Sequence, residues 1–501
     1  MRKIIILLAA TLMSGAALAQ NAYDAANFAG SDLNGTARYV GMGGALSALG
    51  GEITTMGTNP AATGLFRKSE VAFTVSSIFT DEKGQLSHDA TRASIDQLGV
   101  ILSLDQENQS SRGLQYINFG VNYTKKRNHL GNFVTDINHL SGMFSQTFQM
   151  ADLANYAYDA DSWGMLADMA APAYDDAGNL SKDGVIVDYY DNQTGDFLGY
   201  DGVAAQSALY KSATFGSTSQ ADFNLSFNIS NQFFWGFSFG VYDVNYTRES
   251  YYYEMGVDGG YYDLSNWYET SGEGYDLKFG FLCRPVENSP FRFGLTVHTP
   301  TWYRMEDVNG ATLYYKDTHV DTQSTDPYEY DYRTPWKFGA SLGYTVDNYL
   351  AIGAEYELQD FSTCHYESRD MDNDLYFATM NQNIEDFLQV QHTLKLGLEF
   401  KPADNFAVRC GYNYVSSPIK ESSYNNFAYD SPFTETAFTN WKGLNRYTLG
   451  VGYRFQGGYF DLAYQYQKQK GDFYAFDEID LKPTEISNNR SQVMATIGFR
   501  W

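Results

Sequence analysis

The sequence is poor in the residues on which metal proteins and disulfide-rich proteins depend. Its 501 residues include only 3 cysteines, 7 histidines and 11 prolines. Three widely separated cysteines provide neither a disulfide framework nor a metal site. A His-Glu-x-x-His motif, typical of metal-dependent hydrolases, does not occur. We therefore expect no enzyme activity, no metal and no cofactor.

A long apolar run of the kind that forms a transmembrane helix is also missing. The apolar stretch from Ile4 to Leu12 follows Arg2 and Lys3, and it is shorter than the roughly 20 residues that cross a bilayer. Ala17-Leu18-Ala19 then offers a small-x-small cleavage site, so residues 1–19 are predicted to be a signal peptide. No cysteine follows that site, which argues against a lipid anchor.

Positive charge is scarce. The chain carries 34 Lys and Arg against 60 Asp and Glu, a formal net charge of -26. This balance argues against nucleic-acid partners, which favour basic surfaces. Much of the acidic charge lies between the predicted strands, for example at Asp175, Asp188 and Asp326. We interpret it as solvated surface rather than calcium sites, since no spacing matches an EF-hand loop.

Tyrosine and glycine are abundant instead, with 41 Tyr, 45 Gly and 16% aromatic residues overall. Apolar and polar or small residues alternate along segments of about ten residues, long enough to cross an outer membrane when tilted. The pattern predicts an all-β transmembrane antiparallel barrel of about 14 strands in 67–501; a soluble β-sandwich is the weaker alternative. The predicted strands are 71–79, 94–104, 114–124, 220–230, 233–247, 273–284, 290–303, 333–346, 348–361, 391–401, 404–417, 444–455, 458–470 and 491–501.

The connections between these strands alternate in length. Short links, such as Asn231-Gln232 and Gln456-Gly457, alternate with long segments, the longest being about 125–219. Outer-membrane barrels place short turns in the periplasm and long loops outside the cell. An even strand count then predicts that both chain ends lie in the periplasm. The last predicted strand ends on the aromatic Trp501, which resembles the signal read by the barrel-assembly machinery, so that machinery and outer-membrane lipid with lipopolysaccharide are expected partners.

Residues 20–66 are rich in glycine and alanine and too short for a separate domain. Gly41, Gly43 and Gly44 permit a closely packed backbone, and Asn59-Pro60 is a turn signal. We predict that the segment forms an N-terminal hatch, or plug, inside the lumen.

These residues resemble the FadL/TodX family of outer-membrane transporters for hydrophobic compounds. The resemblance rests on Ala37-Arg38-Tyr39-Val40-Gly41-Met42-Gly43-Gly44-Ala45, on Thr58-Asn59-Pro60-Ala61-Ala62 and on the first strand from Val71, about 50 residues in all. It implies a hatch with gating residues at Gly41, Gly43, Gly44, Asn59, Pro60 and Ala61. It also implies passive uptake of a hydrophobic small-molecule ligand such as a long-chain fatty acid. The alternative function is a FadL-like barrel subunit of a protein-secretion apparatus that binds protein cargo.

Two sets of residues are candidate ligand contacts. Met143, Phe144, Phe148 and Trp163 belong to an apolar stretch of the longest loop, where Met and aromatic side chains suit flexible apolar ligands; packing of the loop is the equal alternative. Arg292, Lys337, Lys395 and Arg454 face the lumen by alternation and are candidates for binding a carboxylate, although pairing with lumen carboxylates such as Glu399 is the commoner role of such residues. Asn118, Gly120 and Asn122 mark either a gap in the wall or ordinary lumen positions.

Overall fold

The fold is a closed antiparallel barrel of fourteen strands. The computed structural model describes residues 21–80, 91–106, 112–137, 140–160, 165–175, 177–286, 289–315, 319–369, 374–421, 423, 436–476, 478 and 480–501. The first strand pairs with the last, from Glu70 opposite Arg500 to Thr80 opposite Arg490, which closes the barrel. The strands are β1 Glu70–Thr80, β2 Thr91–Asp105, β3 Leu114–Asn128, β4 Ala205–Ile229, β5 Phe233–Gly256, β6 Tyr261–Cys283, β7 Phe291–His298, β8 Lys337–Val346, β9 Leu350–Asp360, β10 Val390–Ala403, β11 Phe406–Val415, β12 Leu444–Phe455, β13 Gly458–Tyr474 and β14 Thr484–Arg500.

The outward face shows where the apolar band begins and ends. On β5 the exposed residues from Phe233 to Val241 are apolar, and the next exposed position is Asp243. Asp243 pairs with Glu273 on β6, so the change from apolar to acidic occurs at one level on both strands. Nine residues at about 3.3 Å each, tilted by about 40°, rise roughly 23 Å, close to the apolar band of outer-membrane barrels.

Several strands continue far beyond that band. β4, β5 and β6 have 25, 24 and 23 residues, and β5 stays paired with β6 up to Met255 opposite Tyr261. The segment 248–272, predicted as a long loop, is therefore mostly a hairpin. The 125–219 loop is also shorter than predicted, because β3 reaches Asn128, Gly131–Ile137 pairs with β4, and β4 already begins at Ala205.

One predicted strand is interrupted. The segment 290–303 consists of β7 and the start of a second strand, Trp302–Tyr315, and both pair with β6. Pro300 lies in the break, where a residue without a backbone N–H interrupts the ladder at least cost. Further strands extend the wall at the same end of the barrel: His319–Ser324, Tyr328–Arg333, His365–Ser368 and Phe438–Trp441.

The N-terminal segment 21–66 lies within the barrel. It contains the helices α1 Ala22–Ala29 and α2 Ala37–Gly41 and the short 3₁₀ helices Ile53–Gly57 and Pro60–Leu65. Side chains cap their N-termini, since Asn21, Thr36 and Asn59 accept hydrogen bonds from the backbone of Asp24, Tyr39 and Ala61. About three quarters of the segment's residues are buried.

The start of the described chain corrects the expectation that both chain ends lie in the periplasm. The Tyr366 hydroxyl donates to the Asn21 carbonyl oxygen at 3.2 Å, and Asp24 lies 3.7 Å from Arg248. Both wall residues stand at the end of the barrel with the long connections, which is extracellular in this class. The first described residues, from Asn21 onward, thus lie in the extracellular half of the lumen, whereas the C-terminal strand ends at the opposite, periplasmic side.

The long connections carry the remaining helices and two small hairpins. The helices are α3 Gln146–Ala160, α4 Met165–Ala170 and α5 Asp374–Phe387, with a 3₁₀ turn at Phe361–Thr363; the hairpins pair Ala173–Tyr174 with Leu180–Lys182 and Val187–Tyr190 with Phe197–Asp201. None of the helices in the described part of the chain is long and apolar enough to cross a membrane.

Candidate ligand cavity and N-terminal segment

The Asn59-Pro60-Ala61 turn rests on glycines of the barrel wall. A Cβ atom on Gly236 of β5 would overlap the Pro60 backbone, and one on Gly280 of β6 would lie 2.7 Å from the Ala61 nitrogen. Because backbone cannot move aside as a flexible side chain can, only glycine allows this close approach. Further inward glycines contact the segment. Backbone of the segment lies against Gly343, Gly353, Gly397, Gly411 and Gly450, and its side chains Ile53, Met56 and Asn59 lie against Gly99, Gly120 and Gly294. We call these wall glycines the glycine belt.

The glycines of the Gly-rich run belong to the N-terminal segment and pack against β10 to β12, where the wall contributes glycines of the belt. Gly43 has a φ of +62°, and a Cβ there would lie 2.9 Å from the Tyr412 nitrogen on β11. Gly44 has a φ of +82°, and Gly41 lies against Gly450 of β12. A left-handed backbone and close approach both favour glycine at these positions.

Ion pairs connect the segment to the wall. Asp32 accepts hydrogen bonds from Arg490 at 2.8 Å and from Arg446 at 3.2 Å, and Arg38 donates to Glu399 at 3.1 Å. Burial opposes ionisation of Asp32, but the guanidinium groups of Arg490 and Arg446 outweigh it and hold the pKa of the Asp32 carboxyl well below its usual range. The segment is thus held by packing on glycine and by buried charge.

A cavity of about 320 Å³ lies above this segment, in the extracellular half of the lumen. We call it the outer cavity. Its walls come from α1, β3, β4, β12 to β14 and the strand Phe438–Trp441. Seven Tyr, Phe and Trp side chains line it: Tyr23, Phe133, Tyr210, Tyr246, Phe438, Trp441 and Phe473. The ring centroids of Tyr210 and Phe473 are 4.7 Å apart. Asp32, Arg446 and Arg490 also line the cavity, so aromatic rings and the ion pairs of the N-terminal segment share one chamber.

A second cavity of about 110 Å³, the inner cavity, lies between the segment and the wall from β3 to β12. Lys395 and Lys337 both line it, as the sequence predicted for lumen residues. Lys395 pairs with Glu355 and Glu357, each at 2.7 Å. Lys278 is paired likewise, with Asp222 at 2.8 Å and Asp276 at 2.6 Å. Among the described residues, no carboxylate lies within ion-pair distance of Lys337.

The remaining two lumen candidates, Arg292 and Arg454, lie at the periplasmic mouth rather than in either of these cavities. Arg292 donates a hydrogen bond to the Leu49 carbonyl oxygen of the N-terminal segment. Arg454 is exposed near the end of β12. The four candidates of this set therefore occupy two separate places in the barrel.

The loop candidates Met143, Phe144 and Phe148 belong to the long connection that carries α3 and α4, which we call the extracellular cap. Met143 is 65% exposed, and Phe144 packs against the apolar cluster that includes α3 and α4. Phe148 lies on α3, whose first turn is anchored by the buried Glu254 carboxylate, which accepts hydrogen bonds from Ser145 and from the Gln146 backbone. These three side chains are not among the described residues lining the outer cavity. Trp163 lies outside the described residues.

The third strand shows no gap at Asn118, Gly120 and Asn122. β3 pairs without interruption from Tyr116 to Thr124 with both β2 and β4. Asn118 Nδ2 donates to the Thr63 carbonyl oxygen at 3.0 Å, and the Met56 side chain lies against Gly120. These residues are ordinary lumen positions that contact the N-terminal segment.

A Gly-x-Ser-x-Gly spacing occurs twice, from Gly236 to Gly240 in β5 and from Gly339 to Gly343 in β8. In serine hydrolases this pattern forms a sharp strand-to-helix turn. Here the second serine, Ser341, lies within the continuous strand β8. Ser238 also lies within a continuous strand, and its hydroxyl donates to the Met56 carbonyl oxygen at 2.9 Å. Ser238 is therefore a contact of the N-terminal segment.

Sequence reasoning missed the aromatic lining of the outer cavity and the glycine belt. Phe133, Tyr210, Trp441 and Phe473 fall in segments that the sequence placed in long connections. The glycines were recognised only as small lumen residues. A usable signal was present, because the predicted strands carry an inward glycine at similar depth on many neighbours, which marks where another backbone approaches.

Comparison with known proteins identifies the fold. No family model matches the chain, and no curated protein matches it in sequence. Among solved structures, the Pseudomonas putida toluene transporter TodX is 13% identical with a TM-score of 0.50, over 94% of this chain and 99% of TodX. The CymD monoaromatic hydrocarbon channel is 9% identical with a TM-score of 0.52, over 94% of this chain and 99% of CymD. The chain therefore has the barrel fold of the FadL/TodX type of outer-membrane channel.

Proposed function

We propose that this chain is an outer-membrane channel for hydrophobic small molecules, exported by means of a signal peptide at 1–19. The observation that carries the proposal is the outer cavity. Its volume of about 320 Å³ is at the lower end of the range of about 300–1,000 Å³ for small-molecule sites. Aromatic walls favour an apolar ligand, and the likeness of the fold to channels described as carrying toluene and monoaromatic hydrocarbons supports the same class.

The inner cavity suggests where an amphipathic ligand places its polar end. Lys278 and Lys395 are neutralised by carboxylates, whereas Lys337 has no such partner among the described residues. A partly buried ammonium group attracts a carboxylate more strongly than an exposed one does. A fatty acid could place its chain against the aromatic rings of the outer cavity and pair its carboxylate with Lys337 in the inner cavity.

The N-terminal segment serves as the hatch in this proposal. Residues 20–66 block the path from the inner cavity to the periplasm. Asn59, Pro60 and Ala61 hold this hatch in place by packing against the glycine belt. Release requires this segment to shift, because the described backbone around Gly236 and Gly280 leaves no space beside it. Gly41, Gly43 and Gly44 pack in the equivalent way against β10 to β12.

The test is to purify the full chain in mild detergent and identify co-purified small molecules by mass spectrometry, with an unrelated barrel as control. We expect a fatty acid or another apolar compound to be enriched and to be reduced in Trp441→Ala, which opens the outer cavity. Trp336→Ala is the matched control, since Trp336 is 48% exposed on the outer surface. A barrel that carries no apolar compound and instead retains a stoichiometric protein partner would favour the secretion-subunit alternative.

A further inference from the structure

The periplasmic mouth of the barrel contains a third cavity, of about 290 Å³, with an unusual balance of charge. Six of its lining residues are basic and two are acidic: Arg38, Arg284, Arg292, Lys401, Arg454 and Arg500 against Asp347 and Glu399. The protein as a whole has a net charge of -26. This mouth therefore carries an excess of positive charge on a chain that is acidic overall. We call this cavity the mouth pocket.

Half of the basic residues are already neutralised. Arg38 lies 3.1 Å from Glu399 and 3.7 Å from Glu52, Lys401 lies 3.6 Å from Glu399, and Arg500 pairs with Glu70. These pairs hold the N-terminal segment and the barrel closure together. They leave no charge free for a ligand.

The other three arginines have no carboxylate partner among the described residues. Arg292 donates only to the Leu49 carbonyl oxygen, and Arg284 stacks at 5.8 Å over the Phe234 ring. The Nε atoms of Arg284 and Arg292 are buried without a hydrogen-bond partner. A buried donor left unsatisfied is costly, and a guanidinium group is shaped to bind an oxyanion through two parallel hydrogen bonds.

We infer that the mouth pocket is a binding site for an oxyanion, a carboxylate or a phosphate, held by Arg284 and Arg292, which lie side by side at the ends of the paired strands β6 and β7. Both side chains are half-buried, so the site is reachable from the periplasm. An anion bound there competes with the Leu49 carbonyl oxygen for Arg292 and thereby weakens one tie of the N-terminal segment. The inference concerns a different cavity from the proposed apolar site and stands independently of it.

The test is a calorimetric titration of the full chain in neutral detergent at low ionic strength, with inorganic phosphate and with hexanoate as probes. We expect saturable binding at one site per chain with a Kd of about 1 mM or tighter. Arg284→Gln and Arg292→Gln should each weaken binding at least tenfold. Arg292→Lys should fall between wild type and Arg292→Gln, because it keeps the charge and loses the planar pair of donors. Arg369→Gln, at the opposite end of the barrel, is the charge-matched control and should change nothing.

The two probes distinguish the source of the anion. Tighter binding of phosphate indicates a free oxyanion, whereas tighter binding of hexanoate that increases again with octanoate indicates the head group of an amphiphile. The inference is overturned if neither probe shows saturable binding at concentrations up to ~10 mM, which corresponds to a binding free energy of less than about 3 kcal/mol. It is also overturned by binding that persists unchanged in both glutamine variants, which would place the anion at Lys337 instead. The extraction experiment reports on the outer cavity alone, so each proposal can fail separately.

Discussion

The two halves of the lumen are built on different principles. In the periplasmic half, backbone packs on backbone, with the Asn59 to Ala61 turn against Gly236 and Gly280 and buried ion pairs between. In the extracellular half, large rings surround an open chamber of about 320 Å³. Glycine contacts have almost no freedom to adjust, whereas aromatic side chains can rotate around a guest. The contact between the N-terminal segment and the glycine belt is therefore the rigid part of the lumen, and the outer cavity is its adaptable part.

The largest effect on this difference between the two halves is expected from adding a side chain at a position of the glycine belt. Gly236→Ala would drive a methyl group into the Pro60 backbone, and we expect loss of about 3 kcal/mol of docking free energy for the N-terminal segment. The closed barrel should then conduct ions in planar bilayers. Gly131→Ala is the control, since its nearest atom is the hydroxyl of Thr214 at 2.9 Å. An unchanged, closed barrel in Gly236→Ala would mean that the segment does not form the closure.

Removing the buried anion of the N-terminal segment should have the next largest effect. Asp32→Asn leaves Arg446 and Arg490 without their carboxylate, and we expect about 3 kcal/mol less stability for the docked segment. Hydrogen exchange of the α1 and α2 amides measures this directly. Glu485→Gln, which breaks an exposed pair with Lys470, should change exchange by less than about 1 kcal/mol. Equal effects of the two variants would contradict the role of Asp32.

The ionisation of Asp32 also gives a pH expectation. Its pKa is depressed in the folded protein, so its stabilisation is present above the ordinary carboxyl pKa and is lost only as pH falls through the lower, folded value. Acidification from pH 8 to about pH 5 should leave the α1 and α2 amides protected. Release of the segment within that window would identify a different titrating group.

A smaller effect is expected from shrinking the aromatic wall of the outer cavity. Phe473→Ala removes a ring that packs on Tyr210 at 4.7 Å, and we expect apolar ligands to bind about tenfold more weakly, close to 1.4 kcal/mol. Ligand titration monitored by tryptophan fluorescence would measure it. Ion conductance should stay at the closed level, which separates this variant from Gly236→Ala. Unaltered affinity would move the ligand site elsewhere.

The smallest effect concerns the extracellular cap. Met143 is 65% exposed and is not among the described residues lining the outer cavity, so Met143→Ser should change equilibrium affinity by less than about 0.5 kcal/mol. The measurement is the same fluorescence titration. A tenfold loss would extend the binding surface into the cap.

The strand count and the identity of the outward residues were predictable from the sequence because lipid imposes one rule on every strand. Phe237 and Phe239 must be apolar, and Ser238 between them need not be. The rule ends where the lipid ends, at Asp243 and Glu273, so alternation could not show that β5 and β6 continue as a hairpin.

The candidate site was less predictable because its parts are far apart in the chain. Tyr23, Phe133 and Trp441 meet only after the barrel closes and the N-terminal segment enters it. Only the distances from each lysine to the nearest carboxylates distinguish paired from unpaired lumen lysines. Lys395 has two carboxylates at 2.7 Å, and Lys337 has no such partner among the described residues. Alternation assigns both lysines to the inner face and cannot tell a paired cation from a free one.

The height of the β4 to β6 wall has a consequence for how molecules arrive. Twenty-five residues at about 3.3 Å, tilted by about 40°, rise roughly 60 Å, some 35 Å more than the apolar band. At that height the tops of β4 to β6 stand well clear of the lipid. Under the proposed function, a molecule that enters over this part of the rim therefore comes from the aqueous side and not from the membrane interior.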